Sequence, residues 1–242
     1  MSGDIELKIF ELNFLNLAIS KREIPKIRGY ISASYPEYDE LHNHDGDKFI
    51  YRYPLIQYKV IGKTPKIIGI NEGADILKEI EEKLEFVHIG DKHIDIYEKG
   101  MFYKKVKFGV SEKLHKYIFE TPWMCLNQDN YKKFIMLGSD EKKKDLLERI
   151  LIGNILSMSK RFRYTVNDKI QAKVYLKEQI INFKNQKMTA FRGFFETNFI
   201  IPDYLGIGKS VSRGFGSVRK VKTQNDECVS NIDDSIDDNG NV

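Results

Sequence analysis

The order of periodic segments in this chain predicts an α+β fold of two tandem ferredoxin-like (RRM-like) units, each β-α-β-β-α-β. Three observations carry that expectation. The chain opens on alternating apolar and polar residues, the period-two signature of a strand. Segments of period two and period 3.6 then follow one another in ferredoxin-like order. A similar succession begins again near His115. With 242 residues there is room for two units with cores of their own. The expected division is residues 1–114, residues 115–222 and a tail, 223–242.

Within the first unit, residues 5–12 set Ile5, Leu7 and Ile9 against Glu6 and Lys8, as a half-buried strand does. Pro25 leads into KIRGYISASYPEYDELH, read as a short helix followed by a loop. Residues 53–61 and 66–70 form two strands joined by a GKTP turn. The segment NEGADILKEIEEKLEF places Ile76, Leu77, Ile80 and Leu84 at helical spacing. A β-rich stretch, 85–110, closes the unit. The second unit starts on strand-like YIFETPWMCL and continues into a helix over 140–162, with Leu146, Leu147, Ile150, Leu151, Ile155 and Met158 along it. Strands around 170–176, 188–200 and 214–221 complete the pattern.

Composition narrows the function. Residues 223–242 hold six acidic residues and no Lys or Arg, and they are poor in large apolar residues, so this tail is expected to be disordered. Without it, 39 basic residues face 29 acidic ones, and the net charge of the body is +10 rather than +4. Such a body attracts a polyanion through its summed field. No apolar run approaches the roughly 18 residues of a membrane span, and MSGDIELKIF carries no secretory signal pattern. Cys125 and Cys228 are too few for a disulfide framework and too far apart for a zinc knuckle. A cytoplasmic protein with no membrane partner is the expectation.

Residues 204–221 read YLGIGKSVSRGFGSVRKV. Gly206 and Gly208 are echoed by Gly214 and Gly216, with Lys209 and Arg213 between the pairs. Glycine lets a backbone approach another backbone or a phosphate closely, and the cations supply countercharge. A Walker A loop would need glycine where Asp203 stands, and a Rossmann fingerprint would need it at Val211, so both nucleotide motifs fail. A surface loop with hairpin glycines remains the plain alternative. Arg192, Arg213 and Arg219 flank or lie in the segment as candidate RNA contacts. Arg161 and Arg163, beside Phe162 and Tyr164, either complement the helix dipole or reach RNA.

A second constellation, LHNHDGDKFIYRYPLIQYKVI, occupies residues 41–61. His42 and His44 are two apart, so in an extended stretch both rings project from one side. With an unperturbed pKa of about 6.5, one histidine can accept a proton while the other donates. Cleavage of RNA by its own 2′-hydroxyl requires those two roles. HNHDGD also evokes the HxHxDH signature of metallo-hydrolases, but Gly46 and Asp47 break it. Metal binding and an exposed loop with incidental histidines stay open on the residues alone.

The spacing G-I-G-x5-G-F-G resembles the C-terminal glycine-rich loop of the RAMP superfamily of CRISPR-associated proteins. The run from His42 through Tyr51-Arg52-Tyr53-Pro54-Leu55-Ile56-Gln57-Tyr58-Lys59 to Glu72-Gly73 is similar to one branch of its repeat-processing endoribonucleases, of subtype I-B type. TPWMCLNQDNYKKF, residues 121–134, is similar to that branch too. The resemblance covers residues 5–222 and implies a metal-independent endoribonuclease without a cofactor that cuts CRISPR repeat RNA. It assigns His42, His44 and Tyr51 to catalysis, and it implies that the loop of Gly206, Gly208, Lys209, Arg213, Gly214 and Gly216, candidate RNA contacts, lies against RNA or the other domain. Tyr51 is otherwise a packing residue or a phosphate-orienting donor, and Arg52 a candidate for stabilising charge on the reacting phosphate. A non-catalytic RNA-binding subunit of a CRISPR effector complex is the alternative. Repeat RNA, with or without other effector subunits, is the expected partner of a monomer or homodimer.

Overall fold

The computed structural model describes residues 3–42, 44, 45, 48, 49 and 52–222, with residues 44, 45, 48 and 49 described through their backbone. The expected acidic tail and Tyr51 lie outside the described residues. In chain order the elements are β1 (Ile5–Phe14), α1 (Ile24–Ser34), α2 (Asp39–His42), β2 (His44–Asp45), β3 (Lys48–Phe49), β4 (Ile56–Ile61), β5 (Thr64–Ile70), α3 (Glu72–Ile80), β6 (Phe86–Ile89), β7 (Lys92–Asp95) and β8 (Lys99–Phe119). Then follow α4 (Gln128–Met136), α5 (Asp140–Arg161), β9 (Ala172–Phe183), β10 (Gln186–Ile200) and β11 (Val218–Lys220).

In the first half the strands lie in the order β4-β5-β1-β8, all antiparallel, and α1 and α3 cover one face. That is the ferredoxin-like arrangement, with the β6–β7 hairpin inserted before the last strand. In the second half β8 continues, with β11 on one side and β10 then β9 on the other. The order β11-β8-β10-β9 is the same arrangement again. Here α4 and α5 occupy the first helical position. The second is taken by the glycine-rich segment, whose one helical feature is a 3-10 turn at Val211–Arg213.

One strand thus serves both halves. β8 pairs with β1 through Lys99–Phe108 and with β10 from Gly109 onward, so the division expected at residues 114 and 115 falls inside it. At the changeover the Tyr164 hydroxyl accepts the Val110 N–H at 3.0 Å. Capping is as the residue types suggest: the Ser139 hydroxyl accepts from Lys142 N at 3.3 Å to start α5, and Asn127 accepts from Asn130 N at 2.7 Å to start α4.

Two apolar clusters lie on opposite faces of β1. Phe10, Leu12 and Phe14 pack under Ile27, Ile31, Leu77 and Ile80 of the helices. Leu7 and Ile9 face the other way, into a larger cluster with Phe199, Ile207 and Leu151 of the second half. The half-buried strand read from residues 5–12 therefore alternates only at its start and is buried on both faces beyond it. The reason is tertiary: the sheet face that a lone ferredoxin-like unit leaves open is covered here by the second half.

Because Leu7 and Leu151 belong to one cluster contributed by both halves, either substitution to Ala should cost about 2–5 kcal/mol. Both should shift a single unfolding transition. Urea denaturation followed by tryptophan fluorescence and by far-UV dichroism checks this, and transitions that separate for one variant would count against a shared core.

Candidate active site and RNA interface

The histidine segment is shaped by the helix before it. Leu41 is buried, and the Ser32 hydroxyl donates to its carbonyl at 2.8 Å. Arg28 Nη2 donates to the His42 carbonyl at 3.2 Å. These bonds wind residues 39–42 into one helical turn. His42 ends that turn and His44 opens β2, opposite Phe49. The two histidines do not share one extended stretch, which corrects the expectation of two rings projecting from one face of a strand. His42 Nε2 is buried and has no hydrogen-bond partner among the described residues.

Beside His42 lies an ionic cluster that draws on both halves. Glu40 Oε1 accepts from Arg52 Nη2 at 2.8 Å and from Arg161 Nη2 at 2.7 Å. Arg161 ends α5, so this carboxylate joins the second half to the helical turn that carries His42. Arg161, expected at RNA or at the helix dipole, is paired with Glu40. Its neighbour Arg163 is exposed, on the far side of the helix end beside Tyr164.

The glycine-rich segment lies over the first half's sheet. Gly206 N–H donates to Gln57 Oε1 at 2.9 Å, and the Tyr53 hydroxyl donates to the Gly206 carbonyl at 2.8 Å. A side chain at Gly216 (φ 64°) would overlap the Ile207 carbonyl, and one at Gly208 (φ 93°) would meet Met124 O at 2.6 Å. The close approach these glycines permit is made here to the protein's own backbone. Gly206 and Gly216 are buried; Gly214 is half-buried and stands over the β4 backbone. Lys209 is exposed but leans its Nζ on the Leu126 carbonyl at 3.3 Å. Arg219 is paired with Glu120 at 2.6 Å, and that carboxylate raises its pKa.

Between the halves runs a cleft of about 800 Å³. Lys21, Arg22, Lys184, Arg192 and Arg213 line it, and among the described residues no acidic one does. Phe183 and Phe215 meet edge to face at its wall, ring centroids 5.6 Å apart, with Arg213 5.8 Å from the Phe183 ring centre. Burial lowers the Lys21 pKa, and the Arg192 charge lowers it further against a smaller opposing pull from Glu120. Cations lining a wall that includes no carboxylate suit an anionic strand, and the aromatic rings suit bases. Of the residues expected at RNA, Arg192, Arg213 and Gly214 meet here. Lys21, Arg22, Lys184 and Phe183 were not anticipated; the Lys21-Arg22 dipeptide is the one local sign. Half-buried Arg28, whose pKa is lowered by burial and to a lesser degree by the Arg213 charge, is the residue that holds the His42 carbonyl.

Lys59 is fully buried and donates to Gln57 Oε1 at 3.0 Å. Burial pushes its pKa down to about 7. The remaining histidines are placed elsewhere: His93 joins His88 at 3.2 Å and Asp95 at 3.0 Å on the β6–β7 hairpin, and His115 meets the Ser111 hydroxyl at 3.0 Å. Among the described residues no group of three or more His, Cys, Asp or Glu is placed to hold a metal ion. No helix among them is long and apolar enough to cross a membrane.

The chain matches the family described as the Cas6b N-terminal domain over residues 5–107 and that described as the Cas6b C-terminal domain over residues 109–221. A solved structure described as Cas6b is 41% identical, with a TM-score of 0.85, the alignment covering 90% of this chain and 100% of that one. A second, described as the CRISPR RNA processing endoribonuclease Cas6b, is 38% identical over the same shares, with a TM-score of 0.74. An uncharacterized protein of Methanocaldococcus jannaschii is 48% identical over 132 residues, 53% of this chain and 89% of that protein. A type IV crRNA endonuclease at 8% identity and a TM-score of 0.52, covering 90% of this chain and 100% of that one, shares the fold.

Two substitutions probe the anchoring of the glycine-rich segment. Tyr53→Phe strands the buried Gly206 carbonyl and should cost about 1–3 kcal/mol in urea unfolding; a neutral result would remove the hydroxyl from the clamp. For Lys59, the folded state titrates near 7 and the unfolded state near 10.5. Between those values the unfolded state binds the extra proton, so stability rises with pH; below about 7 both states hold it and the contribution is flat. Wild type should therefore gain on Lys59→Met from pH 7 to pH 10, whereas parallel pH profiles would contradict a neutralised buried lysine.

Proposed function

The chain belongs to the Cas6b family, and from that membership we propose that it is an endoribonuclease that cuts CRISPR repeat RNA and releases guide RNAs. The observation that carries the reading is the family match through both halves, joined to relatives of 41% and 38% identity described as Cas6b and as a CRISPR RNA processing endoribonuclease. The cleft lined by five cations, with no carboxylate among its described lining residues, supports it physically. A strand of RNA laid along Lys21, Arg192 and Arg213 runs toward Arg28 and the turn ending at His42.

The chemistry proposed needs no bound metal, because RNA brings its own nucleophile. One histidine of the pair His42 and His44 takes the 2′-hydroxyl proton. The 2′-oxygen then bonds to the adjacent phosphorus, the bond from phosphorus to the 5′-oxygen breaks, and the other histidine protonates that leaving oxygen. The products are a 2′,3′-cyclic phosphate and a 5′-hydroxyl end. Positioned proton transfer of this kind contributes about 10²–10⁴-fold. Tyr51 is proposed to orient the phosphate or ribose. The residues proposed at RNA are Arg192, Arg213 and Gly214 with Lys21, Arg22 and Lys184.

Repeat RNA incubated with the protein in EDTA should be cut at one site, and a substrate with 2′-deoxy at the scissile nucleotide should stay intact. His42→Ala with His44→Ala should abolish cutting and leave binding of the 2′-deoxy RNA in place. Cleavage that EDTA abolishes, or that survives the double substitution, would falsify the mechanism. Binding without cleavage by wild type would return the chain to the non-catalytic subunits of effector complexes.

A further inference from the structure

Four buried polar atoms without a hydrogen-bond partner among the described residues belong to the cluster at His42: Glu40 Oε2, His42 Nε2, Arg52 Nε and Arg161 Nε. Buried polar atoms in a finished fold are ordinarily paired, and a group of unpaired ones marks a place kept for a ligand. The two arginine atoms are N–H donors lacking an acceptor. Two N–H donors of this kind suit an anion with several oxygens.

The geometry is that of a clamp. Arg52 and Arg161 both end on Glu40 Oε1, at 2.8 and 2.7 Å, so their Nη2 atoms are at most 5.5 Å apart. One phosphate group can bridge that span with two charge-assisted hydrogen bonds. One carboxylate against two guanidinium groups leaves a positive excess, so Glu40 orders the arginines without neutralising them. Arg52 comes from the first half and Arg161 from the end of α5 in the second, and Glu40 sits two residues before His42 on the same helical turn. A phosphate held by the arginines would lie against the helical turn that ends at His42.

We infer that Arg52 and Arg161 form an oxyanion clamp for the scissile phosphate, and that Glu40 is the positioning residue that holds the two guanidinium groups at one point. This inference rests on the acid–base reading of His42 given above. As the 2′-oxygen bonds to phosphorus and before the 5′-oxygen leaves, the five-coordinate phosphorus group carries additional negative charge on its non-bridging oxygens. Donors already fixed at that position stabilise it without reorganising. Arginine suits the task through its planar fork of donors; lysine would keep the charge and lose the fork.

The test uses the full chain and repeat RNA under single-turnover conditions at saturating protein. Binding of the 2′-deoxy RNA and thermal unfolding are measured alongside. Arg52→Lys, Arg161→Lys and Glu40→Gln should each slow cleavage at saturation by roughly tenfold or more. Affinity for the 2′-deoxy RNA should stay near wild type in the lysine variants and should not weaken in Glu40→Gln, which removes a negative charge. A loss confined to affinity, or lysine variants that cut at the wild-type rate, would overturn the clamp. Should Glu40→Gln fail to fold, the two lysine variants decide alone. If wild type cuts in a histidine-dependent manner and the lysine variants match it, only the clamp falls. If wild type does not cut, or cuts without His42 and His44, the acid–base reading fails and the clamp falls with it.

Discussion

The side-chain oxygen of Gln57 accepts two donors, the Gly206 N–H of the second half and the Lys59 amino group of its own strand. All of these groups are buried, so each must be paired for the halves to close. With Tyr53 holding the Gly206 carbonyl, both polar groups of that peptide residue are bound to side chains of the first half. The glycine-rich segment is thereby fixed in height and orientation over the sheet. Arg213 and Phe215, a few residues along it, then have defined positions at the cleft wall. Nearby, Glu11 is paired with Lys66 at 2.5 Å and Lys104 at 2.6 Å, and Lys66 lies 4.9 Å from the ring centre of Tyr204. The contact between halves is keyed by polar groups as well as filled by apolar ones.

Charge is distributed in two ways. Lys66, Lys104 and Arg219 are paired with carboxylates and tie elements together. Lys21, Arg22, Lys184, Arg192 and Arg213 converge on a cleft that, among the described residues, no carboxylate lines. Net charge cannot tell these apart. A basic excess of +10 is compatible with either, and the fold decides which cations are left to face a polyanion.

Elements carried by local periodicity were legible in the sequence. The helix over 140–162 is seen at Asp140–Arg161, and the strand pair around GKTP at Ile56–Ile61 and Thr64–Ile70. Less local features were not. The α4 helix is short and follows a strand-like segment that is in fact irregular beyond Phe119, apart from a bridge between Trp123 and Phe191. The helical turn at residues 39–42 depends on Ser32 and Arg28 bonding to its carbonyls. The glycines were legible as a device for close approach, but that the surface approached is Trp123, Met124 and Ile207 is a tertiary fact. Glu40 gave no signal, because its meaning comes from partners 12 and 121 residues away. Lys184 and Phe183 reach the cleft only because β9 and β10 extend as a long hairpin past the rest of the sheet.

β8 runs 21 residues and belongs to both sheets. Mechanically it is a beam. Two domains on a flexible tether can open like jaws, but units sharing a hydrogen-bonded strand have no such hinge. The changeover at Gly109 is itself restrained, by the Tyr164 hydroxyl on Val110 N and by the pairing of Ile200 with Gly109. The gap between the halves is therefore a fixed gauge. A flexible single strand can thread such a gauge and bend to its contour, and the conformational cost of assembling the complex then falls on the nucleic acid rather than on the protein.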